Sequence, residues 1–247
     1  MKINKRLAAL SEMVSSPYDI VWDCCCDHGL LGMKILAECD VKQVNFVDIV
    51  PEIMHTLAAK MTAHADKFPE TAKWNVICND VSTLDLSISN NYSGKSEQQS
   101  PKQSPKQLVI ISGVGGDLMI EMVKALVSRH ADIDIDYLLC PVQHTYKVRK
   151  ALIDLRFKLK QERLIIDNHR GYELFLVNQN EGVDIALTGD SMWENNEAHR
   201  RYLSNLIVHY DRINNAEQLI TNDNYSALNM YKNILKDFFD AKSLRFK

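Results

Sequence analysis

The order of apolar and polar positions predicts alternating strands and helices along most of the chain. Leu7, Leu10 and Val14 recur at helical spacing, which predicts a helix near the N-terminus. The strand-like runs that follow are Ile20–Asp23, Gln43–Asp48, Trp74–Cys78, Leu108–Ser112 and Tyr137–Cys140. The helical stretches between them are Leu30–Cys39, Pro51–Ala65, Gly116–Arg129 and Thr145–Leu155. This α/β alternation predicts a Rossmann-like parallel sheet with helices on both faces.

Two further strands follow this alternating region and lie close together in the sequence. Phe157–Ile166 and Gly171–Asn178 are separated only by a short polar turn. They predict an antiparallel hairpin that closes a mostly parallel sheet. This ending resembles the fold of class I S-adenosylmethionine (SAM) methyltransferases, whereas a plain dehydrogenase sheet stays parallel.

Two segments lie outside this scheme. Residues 87–106 are rich in Ser, Gln, Asn and Lys, so we expect a polar, mobile loop insertion. After about Ser191, apolar residues at helical spacing predict two amphipathic helices in an antiparallel hairpin: Leu203, Leu206, Ile207, Tyr210 and Ile213, then Tyr225, Leu228, Tyr231, Leu235 and Phe238. We expect a domain of residues 1–182 and a C-terminal helical domain of residues 183–247. The hairpin packs on the sheet or on a second copy in a homodimer, or it clamps a large substrate.

The composition is that of a globular protein. Of 247 residues, 46% are hydrophobic and 25% are charged. No apolar run approaches the roughly 20 residues that cross a bilayer, and the N-terminus lacks the apolar core of a secretory signal. Cys24, Cys25 and Cys26 are contiguous and cannot readily form disulfides with one another. We therefore expect a cytoplasmic protein with no membrane partner.

The charge pattern bears on the kind of partner. A net charge of −3 argues against a protein that coats nucleic acid electrostatically. Seven positive residues nevertheless occur between Lys147 and Arg163, opposed only by Asp154 and Glu162. This run is either an ordinary solvated surface or a local contact for RNA phosphates, with Lys147, Arg149 and Lys150 as the candidates.

Acids and glycines follow four successive strands of the predicted sheet. Asp23, Cys25, Asp27 and Gly29 alternate after the first strand. Asp48 and Asp80 follow the second and third strands, and Ser112-Gly113-Val114-Gly115-Gly116 follows the fourth. Ligands bind such sheets at the carboxyl ends of their strands. A carboxylate there can accept hydrogen bonds from ribose hydroxyls, and glycines permit close approach of the backbone.

Each of these positions also has an ordinary structural interpretation. An acid after a strand is often only a helix cap, and a glycine-rich segment can simply be a turn. The cysteines beside Asp27 and His28 lack the spacing of structural zinc sites, so no metal is expected. The functional interpretation rests on the acids and glycines occurring at four strand ends in the expected order.

Four segments make the resemblance more specific. The chain is similar to the bacterial tRNA (adenine-22) N1-methyltransferase family in Asp23-x-x-x-Asp27-His28, Ser112–Gly116, Cys140-Pro141-Val142-Gln143 with Val148-Arg149, and Gly171-Tyr172-Glu173-Leu174. The resemblance implies SAM as cofactor and tRNA as the substrate, methylated on N1 of an adenine in the D-arm region. Cys25 stands where the family has glycine, so either the turn differs or the affinity for SAM is reduced.

The resemblance and the strand-end pattern together give the candidate site residues. The predicted cofactor-binding residues are Asp23, Cys24, Cys25, Asp27, His28, Asp48, Ile49, Asp80, Val81, Ser112 and Gly113. The predicted catalytic residues are Asp27, His28, Gly113 and Gln143. Two other functions stay open: methyl transfer to a small molecule, and a protein that binds SAM or RNA without turnover.

Overall fold

The computed structural model describes residues 3–87, 104–216 and 222–240. Its strands are β1 (Tyr18–Cys24), β2 (Val41–Asp48), β3 (Lys73–Cys78), β4 (Gln107–Ser112), β5 (Ile135–Cys140), β6 (Lys158–Asp167) and β7 (Arg170–Asn178). Its α-helices are α1 (Lys5–Glu12), α2 (Leu30–Glu38), α3 (Pro51–Ala63), α4 (Gly116–Arg129), α5 (Thr145–Asp154), α6 (Glu197–Ala216) and α7 (Asn222–Ile234). Most of the predicted polar insertion, residues 88–103, lies outside the described residues.

The seven strands form one sheet in the order β3-β2-β1-β4-β5-β7-β6. The first five in this order are parallel, and β7 is antiparallel to both β5 and β6. The predicted α/β fold class is therefore confirmed, including the closing antiparallel hairpin. The strand order reverses between β1 and β4, which places the crevice for a ligand at the carboxyl ends of these strands.

The sheet is buried on both faces because its strands carry apolar residues on each side. Val21, Phe46 and Leu138 pack with α1, α2 and α3 on one face. Trp22 and Val109 pack with α4 and α5 on the other. Near-continuous apolar runs are what a parallel sheet covered on both faces requires.

The two C-terminal helices form an antiparallel pair. Tyr210 of α6 stacks on Tyr231 of α7 with ring centroids 5.6 Å apart. Arg200, nearer the start of α6, lies over the ring of Phe239, which follows α7. Both helices share an apolar cluster with Tyr146 of α5 and with β6. Of the three alternatives for the hairpin, packing on the sheet is the one that the structure shows.

A tight turn joins β6 and β7 at the carboxyl edge of the sheet. Asp167 pairs with Arg170, so only Asn168 and His169 lie in the loop. Both have positive φ, 48° and 64°. Two successive left-handed residues are the geometry of a type I′ hairpin turn, which matches the twist of the strands. The turn therefore holds the neighbouring side chains in a fixed position.

Candidate functional site

The loop after β1 keeps a left-handed backbone at two positions without glycine. Cys25 has φ 57° and Asp27 has φ 49°. The Asp27 N–H donates a hydrogen bond to Oδ2 of Asp48 at 3.0 Å. A left-handed residue with a side chain costs roughly 1–2 kcal/mol. The turn thus has the backbone shape expected at the family's glycine position, and the cysteine side chain is accommodated within it.

The Asp23 carboxylate is turned into the protein. Asp23 is 3% exposed, and its Oδ2 accepts a hydrogen bond from the Gly32 N–H at 2.8 Å. Burial raises the pKa of this carboxyl to about 7, opposed by the Gly32 bond and helped by nearby Asp48. Asp23 therefore fixes the β1 loop against α2. Its direct contact with a cofactor stays a prediction.

The acids after β2 and β3 are half-buried and face the same crevice. Asp48 accepts the hydrogen bond from the Asp27 N–H and a second one, at 3.2 Å, from the Val50 N–H. One oxygen of Asp80 accepts hydrogen bonds from the amide and the hydroxyl of Ser82, both at 2.8 Å, which leaves its second oxygen for another donor. Asp80 is thus also the cap of a short helical turn, a role that acids after strands often have.

The remaining candidates near this crevice divide into exposed and buried groups. Ile49 is 64% exposed and offers an apolar surface beside Asp48. His28 is exposed, with Nε2 3.6 Å from Asp27. The side chains of Cys24 and Val81 lie in the core, so these two residues can reach a ligand only through their backbone.

The loop after β4 approaches the loop after β5 closely. Gly113 has φ 86° and is exposed. A Cβ on Gly116 would lie 2.7 Å from the Gln143 carbonyl oxygen, so only glycine fits there. The Gln143 side-chain nitrogen lies within 3.4 Å of the Cβ position of Gly115. The structure therefore brings Gln143 and the Ser112–Gly116 loop together.

The β1 and β4 loops are neighbours because their strands pair. Cys24 pairs with Ile111, which places Cys25 beside Ser112 at the next position. The Ser112 hydroxyl is buried, and among the described residues it has only a weak interaction with the Cys140 thiol. A buried hydroxyl without a strong partner costs free energy, so a ligand group at this point would satisfy it.

Arg6 of α1 lies beside the β4 loop, although no sequence motif pointed to it. Its guanidinium lies over the ring of Tyr172, 5.1 Å from the centroid. The same group lies 3.7 Å from the Cβ position of Gly113. Its Nε is buried and has no hydrogen-bond partner in the described part of the chain. Arg6 therefore brings positive charge to the β4 loop, and the only sequence signal was a basic residue inside an apolar helix.

Burial raises the pKa values of the three contiguous cysteine thiols. Burial, assisted by Asp48, Asp23 and Asp80, raises the pKa of the Cys25 thiol to about 12. The Cys24 and Cys26 thiols also have raised pKa values, chiefly because they are buried. A protonated thiol is a poor nucleophile and a poor metal ligand. Among residues 3–87, 104–216 and 222–240, no group of three or more His, Cys, Asp or Glu is placed to hold a metal ion.

The prediction that Arg149 contacts RNA phosphates is wrong. Its side chain is fully buried, and its Nη2 forms ion pairs with Glu162 at 2.7 Å and Glu173 at 2.9 Å. It also donates a hydrogen bond to the Ala186 carbonyl at 3.0 Å. Arg149 is a structural group that joins α5, β6, β7 and the segment before α6. The spacing of charges along the sequence could not reveal this burial.

Most of the basic run from Lys147 to Arg163 is paired with carboxylates. The exposed Lys147 pairs with Asp117, and the half-buried Lys150 pairs with Asp223 at 2.5 Å. The further pairs are Lys158–Asp184, Lys160–Asp136, Lys160–Glu181 and Arg163–Glu12. Lys147 and Lys150 remain accessible to phosphates, but the run as a whole is not a patch of free positive charge.

Together these groups can hold a nucleoside that carries a charged tail. Half-buried carboxylates with free lone pairs suit hydroxyl and amino donors, and exposed Ile49 suits the face of a flat ring. The glycine loop after β4 allows a reacting atom to approach the backbone closely.

Among the helices that the structure describes, none is long and apolar enough to cross a membrane.

Comparisons with known proteins agree with this geometry. A family model described as a methyltransferase domain matches residues 3–175. TrmK of M. capricolum, solved with S-adenosyl-homocysteine, is 17% identical, with a TM-score of 0.67 over 96% of this chain and 97% of that one. The M1A22 tRNA methyltransferase TrmK of B. subtilis is 16% identical, with a TM-score of 0.63 over 95% and 96%. A Streptococcus pneumoniae protein solved with S-adenosyl-L-methionine is 16% identical, with a TM-score of 0.69 over 95% and 100%. No curated protein sequence matches the chain significantly. At these identities the solved structures establish the fold alone.

Proposed function

The chain belongs to the methyltransferase domain family, and from that premise we propose that it transfers a methyl group from SAM to N1 of an adenine in tRNA. By resemblance the target is adenine 22 in the D-arm region. The class I methyltransferase fold takes SAM as its cofactor. The acceptor is the new element of the proposal.

The residues of the crevice fit SAM. Asp48 has lone pairs for the ribose hydroxyls, and the free oxygen of Asp80 suits the adenine amino group. The left-handed turn at Cys25–Asp27 supplies backbone carbonyls and the Asp27 carboxylate for the methionine amino group. The buried Ser112 hydroxyl at the β4 end has an unused bonding capacity. The Cys25 side chain is partly buried and packs against the core next to this crevice.

The proposed chemistry asks mainly for alignment. When bound, SAM supplies an electrophilic methyl group. Adenine N1 would attack the methyl carbon with a lone pair that the neutral base already carries. The N–C bond would form as the methyl–sulfur bond breaks, and the sulfur would keep that electron pair in the departing S-adenosyl-homocysteine. The chain therefore needs no base to remove a proton first. The Ser112–Gly116 loop and Gln143 hold the acceptor ring in line with the methyl group. Backbone carbonyls of the loops offset the positive charge that develops on the ring.

An accessible acceptor edge is the observation that favours a large substrate. Gly113 and Gln143 are exposed, and the apolar side chains of Leu118 and Val142 beside them are 46% and 44% exposed. A site for a small molecule usually encloses most of its ligand. An adenine flipped out of a folded RNA can reach this edge, because its N1 lies on the base-pairing side and must first be freed.

The extent of the structural likeness also supports the tRNA proposal. The match to the two TrmK structures spans 95–96% of this chain, so it includes the C-terminal helices as well as the sheet. One of these proteins carries the description M1A22 tRNA methyltransferase. A structural match limited to the sheet would favour a small substrate as readily as tRNA.

The proposal is tested by methyl transfer from labelled SAM to unmodified bulk tRNA, followed by nucleoside analysis. We expect the label in 1-methyladenosine. Gln143→Ala lowers the transfer rate without changing the affinity for SAM. The matched control Gln179→Ala, at the opposite edge of the sheet, leaves both unchanged. Label in a small molecule but not in tRNA contradicts the proposal, and SAM binding without any transfer identifies a non-catalytic protein.

A further inference from the structure

A second cavity lies beside the acceptor edge, between the β6–β7 turn and the start of α6. Its volume is about 600 Å³. This is within the range of small-ligand sites, roughly 300–1,000 Å³. The lining residues that matter for its chemistry are Val142, Arg170, Glu197, Arg201 and Tyr202. None of the residues assigned to the cofactor lines it.

The cavity carries an excess of positive charge. Arg170 is exposed, and no hydrogen bond or ion pair joins its side chain to another residue in the part of the chain that the structure describes. Arg201 faces Glu197 at 3.9 Å, but both side chains are mostly exposed, so this pair is weak. Two guanidinium groups and one carboxylate favour an anion. Planar guanidinium groups suit phosphate oxygens in particular.

The turn and the strand fix the backbone of the cavity wall. The type I′ turn at Asn168 and His169 sets the backbone position of Arg170, whose side chain is exposed. A Cβ on Gly171 would lie 2.2 Å from the Tyr202 ring, so the ring packs directly on the strand backbone. The Tyr202 hydroxyl donates to Glu173 at 2.9 Å and connects this wall to the buried Arg149 network. Ligand binding therefore has to order the two exposed arginine side chains but not the wall behind them.

The cavity adjoins the acceptor loop through Val142. The Val142 N–H donates to the Val114 carbonyl at 3.0 Å, and the next residue is Gln143. The exposed Val142 side chain and the Tyr202 ring offer apolar surface for a base, and Glu197 offers an acceptor for its amino group. A polymer that presents one nucleotide to the Ser112–Gly116 loop can thus reach this cavity with a neighbouring nucleotide.

We infer that this cavity binds a nucleotide next to the methylated adenine, with its phosphate held by Arg170 and Arg201. This inference rests on the proposed function, because it requires an RNA acceptor at the same edge. It gives the protein an RNA contact that the paired basic run of α5 and β6 does not provide. Base stacking with positively charged neighbours is a common way to hold an unpaired nucleotide.

The test compares RNA affinity and methyl transfer for wild type, the double variant Arg170→Gln/Arg201→Gln, and the control Arg129→Gln. Arg129 is also exposed but lies at the far end of α4, at the opposite edge of the sheet. We expect the double variant to bind unmodified tRNA about tenfold more weakly or worse, with a smaller salt dependence. Its affinity for SAM and its unfolding temperature stay at the wild-type values, and the control behaves as wild type.

A second variant removes space instead of charge. Ala198 lines the cavity, and Ala198→Trp fills it while keeping both arginines. We expect the same loss of tRNA affinity. Wild-type tRNA affinity in both variants, or an equal loss in Arg129→Gln, overturns the inference.

The two proposals fail in different ways. If wild type forms 1-methyladenosine and the variants bind tRNA normally, the cavity assignment is wrong and the proposed function stands. If the variants lose tRNA affinity but wild type forms no methylated adenosine, the cavity assignment stands and the proposed function is wrong. If wild type binds no RNA, both are wrong.

Discussion

Asp48 holds the backbone of Asp27 in its left-handed conformation through a hydrogen bond of 3.0 Å from the Asp27 amide to Oδ2. The bond joins the ends of β1 and β2, so one carboxylate both shapes the loop and faces the crevice. The acid after β2 is therefore more than a candidate for the ribose. It also supports the turn that would surround the amino-acid part of SAM.

Replacement of Asp48 tests this double role. Asp48→Ala removes the acceptor for the Asp27 amide and for a ribose hydroxyl, and hydrogen bonds to charged groups contribute about 1.5–3 kcal/mol each. We expect SAM affinity to fall by roughly 10- to 100-fold or more. Asp48→Asn keeps one acceptor oxygen and should lose less. Titration calorimetry measures both, with the exposed Glu70→Ala as control. Unchanged affinity in Asp48→Ala would remove this residue from the site.

Replacement of Cys25 by glycine should improve both stability and cofactor binding. Cys25→Gly relieves a left-handed conformation that costs roughly 1–2 kcal/mol and removes a side chain from the crevice. We expect a higher free energy of unfolding in urea and tighter binding of SAM. Cys26→Gly is the matched control, since Cys26 lacks a positive φ and should only be destabilised. Weaker SAM binding in Cys25→Gly would show that the thiol contributes to the site.

The buried Asp23 predicts a specific dependence of stability on pH. The pKa of this carboxyl is 3.8 for an unperturbed aspartate, as in the unfolded chain, and about 7 in the folded protein. Between these pH values the folded state binds more protons than the unfolded state, so this group lowers stability as pH rises towards 7. Asp23→Asn keeps an oxygen for the Gly32 amide and removes the titration. As the pH rises from about 4 to about 8, we expect the free energy of unfolding of the variant to increase by a few kcal/mol relative to that of wild type. A difference in unfolding free energy that does not vary with pH would contradict this.

Because Arg149 is buried in an ion-pair network, we expect its replacement to lower stability without removing a direct contact with RNA. Arg149→Met leaves Glu162 and Glu173 buried without their cation, and breaking such a network costs about 3–5 kcal/mol. Denaturation in urea measures this cost. The exposed Lys147→Met should change stability by less than about 0.5 kcal/mol. If Arg149→Met folds as stably as wild type and binds tRNA more weakly, the buried assignment fails.

The sequence predicted the sheet well because its signals are local. Apolar runs and the residues that end them placed every strand to within a few positions, and Gly116–Arg129 is the observed helix α4. The strand ends then converge because parallel strands share a carboxyl edge. Asp48 and Gln143 could therefore be assigned to one edge from order alone.

The residues that were misjudged depend on contacts between distant parts of the chain. Arg149 looked like a surface cation because Glu162 and Glu173 lie on other elements of the chain. Arg6 was not a candidate, because its neighbours Tyr172 in β7 and Gly113 after β4 are distant from it in the sequence. Periodicity shows which side of a helix is polar. It does not show which charged side chain forms a buried ion pair in the folded protein.

A crystal structure of the chain with S-adenosyl-homocysteine decides whether the crevice holds the cofactor. We expect the ribose hydroxyls at Asp48, the adenine beside Ile49 and Asp80, and the sulfur facing the Gly113 loop. A ligand bound elsewhere, or a crevice closed by the Cys25 side chain with no room for the nucleoside, would contradict it.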